Sequence, residues 1–127
     1  MKSKLIISAF VLLISVTAFS QSKTDAKMKS SATVVELEQT KGEFTQKSLT
    51  LAAGDYIFEI ENNNVGKDVG FVLAPKSNPN NHIKTAYVTK VVKNNTSEQS
   101  NVTHLEKGEY IYFCPLNETP QYTLIVE

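Results

Sequence analysis

Gly108-Glu-Tyr-Ile-Tyr-Phe-Cys-Pro-Leu-Asn-Glu-Thr-Pro-Gln-Tyr-Thr-Leu-Ile-Val126 decides how this chain folds. It reads as two strands joined by a tight loop, with Cys114, the sole cysteine, at the loop's mouth. Tyr110, Tyr112 and Cys114 share one parity, Ile111 and Phe113 the other, so both faces of the first strand are apolar. Such a strand belongs in the middle of a packed sheet or sandwich. Tyr122, Leu124 and Val126 then alternate with Thr123 and Ile125. Seven residues separate Cys114 from Tyr122, Pro115 and Pro120 among them, and a functional site is expected there.

Upstream, the clearest half-buried strand is Tyr56-Ile-Phe-Glu-Ile-Glu61, with Tyr56, Phe58 and Ile60 facing in and Glu59 and Glu61 facing out. Residues 33–38 read as a first strand, and Lys41-Gly42 as a turn. Phe44 and the pair Leu49, Leu51 have opposite parities, which predicts a bend or bulge between them. Asn62-Asn-Asn64 and Gly66 form a loop before a strand over 69–73. Residues 76–81 are a polar loop, 85–92 a weakly alternating strand, and 97–105 a strand that turns a corner into Gly108. No helical period is sustained and no repeat is evident. Seven to eight short strands at regular spacing predict an all-β, Greek-key sandwich.

The first twenty residues read as a signal peptide. Lys2 and Lys4 precede an apolar run, and Ala18-Phe-Ser20 supplies small residues for cleavage near Ser20-Gln21. The run is short for a membrane span, and no cysteine follows it to carry a lipid. Residues 21–31 are polar and aperiodic, a flexible tether, leaving one domain over 32–127. The expected location is therefore periplasmic or secreted, with no membrane span in the mature chain. Cleavage leaves 11 lysines against 13 carboxylates, a net charge of −2, and the chain has no arginine. A mildly acidic surface without a basic stripe argues against nucleic acid as a partner. One cysteine makes no internal disulfide, so the core has to supply stability.

The corner Leu105-x-x-Gly108-x-Tyr110-x-Tyr112-x-Cys114, together with Ala53-Gly54-Asp55-Tyr56 and the segment around Phe71, resembles the cupredoxins, the small blue-copper sandwiches. The resemblance spans nearly the whole mature chain, and the loop after Cys114 is similar to the shortest ligand loop of that family. An immunoglobulin-like reading fits less well, because its second cysteine and its tryptophan have no counterpart. A blue-copper ion takes two imidazoles, a thiolate and a weak axial thioether. Carried over residue by residue, the resemblance places the first histidine ligand at Val69, the cysteine at Cys114, the second histidine at Asn117 and the methionine at Pro120. One ligand of four is retained.

Neither histidine is expected to make up the loss. His104 precedes the corner, and six residues of strand at ~3.3 Å each put ~20 Å between it and Cys114. His82 is expected at that opposite pole too. Cys114 then reads first as a buried hydrophobe left from a copper site. Alternatives are a remnant metal ligand with non-standard or partner-supplied donors, making the chain a copper-binding or electron-transfer protein, and a reactive thiol. A two-histidine site at the far pole is a weaker alternative. Asn94-Asn-Thr96, Asn101-Val-Thr103 and Asn117-Glu-Thr119 match glycosylation acceptors but are read as polar loops.

Ser-His-Asp, phosphate-loop, His-Glu-x-x-His and CxxC patterns are all lacking, so no enzyme is expected. No cofactor is expected either, with copper as the alternative. The leading expectation is a non-catalytic binding or interaction module. Its contact surface is the pole around Pro115, Leu116, Val69 and Pro120, and its partner a protein or small ligand.

Overall fold

The computed structural model of the protein describes residues 32–127, so the leader and tether read from residues 1–31 lie outside the described residues. Nine strands form within them: β1 (Thr33–Thr40), β2 (Glu43–Phe44), β3 (Ser48–Leu51), β4 (Gly54–Asn62), β5 (Val72–Pro75), β6 (Ser97–Gln99), β7 (Thr103–Leu105), β8 (Gly108–Phe113) and β9 (Tyr122–Val126). One sheet runs β2-β1-β4, with β6 and β7 both beside β4; the other runs β3-β9-β8-β5. The fold is the expected all-β sandwich. β8 lies between β9 and β5, the place its two apolar faces require.

Alternation explains how the sheets face each other. Tyr56, Phe58 and Ile60 of β4 are buried, and so are Val35 and Leu37 of the parallel strand β1. Both inward rows end in a fully buried amide, Gln39 on β1 and Asn62 on β4, which are register partners. Between the sheets, Phe44 meets Tyr112 edge-on at 5.3 Å between ring centroids and Tyr122 at 5.7 Å, while Phe71 lies 5.2 Å from Phe58. Each such pair adds about 0.5–1.5 kcal/mol beyond area burial.

The sequence contains a short repeat that reading by parity misses. Leu51-x-x-Gly54-x-Tyr56 and Leu105-x-x-Gly108-x-Tyr110 both turn a corner into a long strand. Tyr56 donates its hydroxyl to the carbonyl of Ala52 at 2.6 Å, and Tyr110 does the same to Glu106 at 2.7 Å. Gly54 and Gly108 adopt φ of 157° and 155°, where a side chain is strained. The two corners are neighbours, since Gly54 pairs with Leu105.

Several expected elements differ in detail. The parity change between Phe44 and Leu49 is a switch of sheets, β2 in one and β3 in the other. The strand expected to start at Val69 starts at Val72, because side chains claim both backbone groups of Gly70: its N–H goes to Cys114 and its carbonyl to Gln39. Residues 85–92 form no strand; a 3-10 turn at Lys84–Ala86 and single bridges from Val88 and Val92 use this stretch to plug the core with Ala86 and Val92. The strand over 97–105 is broken into β6 and β7, with Ser100 bonded through its backbone N–H and its hydroxyl to Phe58.

Candidate functional site at the Cys114 pole

Cys114 follows the last residue of β8 and is fully buried. The backbone N–H of Gly70 donates to its sulfur at 3.3 Å. The loop beyond it is closed by Thr119. The Cys114 N–H donates to the Thr119 hydroxyl at 2.9 Å, and the Thr119 N–H returns to the Cys114 carbonyl at 3.2 Å. Glu118 takes the left-handed conformation, φ 53°, that this reversal needs.

Asn117 points inward from that loop and is buried. Its amide nitrogen donates to the carbonyl of Thr40 at 2.8 Å and to Gln39 Oε1 at 3.1 Å, and its oxygen accepts the N–H of Gly42 at 2.8 Å. Gln39 in turn donates Nε2 to the carbonyl of Gly70 at 2.8 Å. Every polar atom of both side chains thus has a partner, as burial demands.

Val69 is held from the other side. It exchanges two backbone hydrogen bonds with Val92, at 3.0 and 2.9 Å. Asn62 stitches the same loops together, donating to Lys67 and Val92 carbonyls at 2.7 and 3.0 Å and accepting from the Val65 N–H at 3.1 Å. Asn94 and Asn95 side chains accept from the Gly66 and Asn64 amides. The parity of β1 and β4 would have flagged Gln39 and Asn62 as inward, though not what they bind.

The expected site residues therefore divide. Val69, Cys114 and Asn117 come together as buried residues around Gly70, whereas Pro115 and Pro120 are exposed. Val69, expected on the contact surface, is wholly enclosed because its side chain belongs to the core. Leu116, 47% exposed, stands in the loop after Cys114, and Val91, 45% exposed and not singled out in the sequence, precedes Val92, the bridge partner of Val69. Leu116 covers Gly70, its Cδ1 lying 3.9 Å from where a β-carbon would sit on that glycine.

The histidines stay apart from the sulfur. His104 on β7 hydrogen-bonds through Nδ1 to Asp55 Oδ1 at 2.8 Å, at the corner end of the sandwich. His82 is not at that end, contrary to expectation. The chain folds back after β5 with the Ile83 N–H on the Leu73 carbonyl, setting the His82 ring 6.2 Å from Phe113. Phe113 has the parity opposite to Cys114, so His82 lies on the outer face, its Nδ1 2.9 Å from the Tyr87 hydroxyl. The two histidines do not meet, and no group of three His, Cys, Asp or Glu side chains is placed to hold a metal ion among the described residues. Glu59 and Glu61 line a shallow outer groove with Glu36 and Glu38, away from Cys114.

No helix among the described residues is long and apolar enough to cross a membrane. Among solved structures, the chain is similar to auracyanin B, with 21% identity, a TM-score of 0.59, and coverage of 76% of this chain and 89% of that one. It is similar to auracyanin A, a "blue" copper protein from Chloroflexus aurantiacus, with 18% identity, a TM-score of 0.60, and coverage of 76% and 99%. Amicyanin from Paracoccus versutus matches at 18% identity and a TM-score of 0.51, over 77% and 83%. At these identities the likeness is one of fold. No curated protein matches the chain. The family model of the cupredoxin-like domain matches residues 6–126, so the chain belongs to the cupredoxin-like domain family.

Proposed function

We propose that this is an exported cupredoxin-like domain without a complete type-1 copper site, acting as a non-catalytic binding module through its Cys114 pole. Export rests on residues 1–20, which have the form of a cleavable leader. The observation that carries the rest is the state of Asn117. At the position the family resemblance assigns to a histidine, its amide is already bonded to Gln39, Thr40 and Gly42. The remaining assigned positions offer little. Val69 and Pro120 have no donor atom in their side chains, the backbone carbonyl of Val69 is bonded to Val92, and His82 and His104 face away from the sulfur. A single thiol beside an engaged amide does not fit an ion that takes two imidazoles and a thiolate.

Leu116, Pro115 and Val91 remain as exposed apolar groups on rigidly tied loops, the kind of surface that meets a protein or a small apolar ligand. Cross-linking within the exported fraction of the source cell tests this reading. A cross-linked product that disappears in Leu116→Glu and Val91→Glu but persists in Val102→Glu, an exposed residue beside β7, supports it. A product that forms equally well with the first two substitutions contradicts it.

A further inference from the structure

The hydrogen bonds at the Cys114 pole close into a ring. Starting from Gly70, the carbonyl is held by Gln39, Gln39 by Asn117, and Asn117 lies three residues along the chain from Cys114, whose sulfur takes the Gly70 N–H. From this ring Asn117 reaches out to the turn after β1 through Thr40 and Gly42. Three separate segments meet there: the β1–β2 turn, the chain entering β5, and the loop between β8 and β9. In a blue-copper protein a metal ion bonded to side chains of several segments ties such a pole together.

We propose that the Gln39–Asn117 amide pair is a built-in clasp that takes over this tying role, so the pole is fixed with no ion bound. Two buried amides are an expensive choice for a core position unless every atom is satisfied. Here each bond depends on the next. The clasp is a positioning device, and it stands whether or not a partner docks on Leu116 and Val91. Its signature is cooperative: removing either amide frees both the loop over Cys114 and the turn at Gly42, and removing the second changes little more.

Native-state labelling of the Cys114 thiol reads this directly, because the sulfur is enclosed and reacts only when the pole opens. Near-isosteric Asn117→Leu and Gln39→Met are each expected to speed labelling about tenfold, the scale of a lost hydrogen bond, beyond what their loss of global stability implies. The double variant is expected to react no faster than the faster single one. Leu105→Ala at the opposite end supplies the control, with labelling that follows global stability alone. If the amide variants also follow global stability alone, or if their effects multiply, the clasp is refuted. Hydrogen exchange in the unaltered protein adds a check that needs no variant to fold. The Gly42 amide, in an exposed turn, is expected to be as protected as that of Gly70, and rapid exchange there overturns the proposal.

Discussion

The N–H of Gly70 and the sulfur of Cys114 are joined across 44 residues of sequence by a 3.3 Å hydrogen bond. This single bond ties the chain entering β5 to the end of β8. Leu116 lies over the same glycine, its Cδ1 in ordinary contact, 3.9 Å, with the place a β-carbon would take. The thiol is thereby a structural acceptor, whatever else it does.

Cys114→Ala removes both that acceptor and buried volume. The expected cost is about 1–2 kcal/mol in urea unfolding. Copper binding is expected to be the same in variant and parent. Loss of stoichiometric copper binding in the variant would make the sulfur a working ligand and refute this view.

The two tyrosine corners give a graded pair. Tyr56→Phe and Tyr110→Phe each lose one hydroxyl-to-carbonyl bond, worth about 1 kcal/mol. The Tyr56 bond is the more enclosed of the two, so its loss is expected to cost more. Chemical denaturation of both variants checks the order, and equal or reversed losses would contradict the corner assignment.

Tyr112 sets an alkaline limit. Burial, with the neighbouring Tyr122 phenol, pushes its hydroxyl up from 10.0 to about 12. A raised pKa means the folded protein holds this proton after the unfolded chain has lost it. Its contribution to stability is thus full below pH 10 and is lost as pH rises through about 12. Phenolate absorbance is expected to show one tyrosine ionising last, and Tyr112→Phe to remove that step and flatten the alkaline fall in stability.

Restoring donors tests the assignment of positions. Val69→His, Asn117→His and Pro120→Met in one chain place the family's ligand types around Cys114. An intense visible thiolate-to-copper band is expected on adding Cu(II) to the folded triple variant. A folded variant with no such band would show that these are not the ligand positions.

Much of this is legible in the residues. Two-sided apolarity puts β8 inside its sheet, and alternation in β4 assigns its faces correctly. The grouping of Val69, Asn117 and Cys114 at one pole comes from the cupredoxin resemblance and not from any local pattern. Other features escape for physical reasons. Gln39 looks like an ordinary strand glutamine until its partners arrive from Gly70 and Asn117, distant in sequence. The position of His82 depends on a fold-back after β5 pinned by Ile83 to Leu73, a pairing that no local pattern encodes. Val69 is expected on the contact surface because the resemblance gives it a ligand position, but its bridge to Val92 turns it into the core.

On the proposed function, the groups around Cys114 make no blue-copper centre. Anaerobic titration of the purified mature protein with Cu(II), followed in the visible range, tests it most directly. The solution is expected to stay colourless through one equivalent and beyond. A strong thiolate-to-copper band that saturates at one equivalent would contradict it.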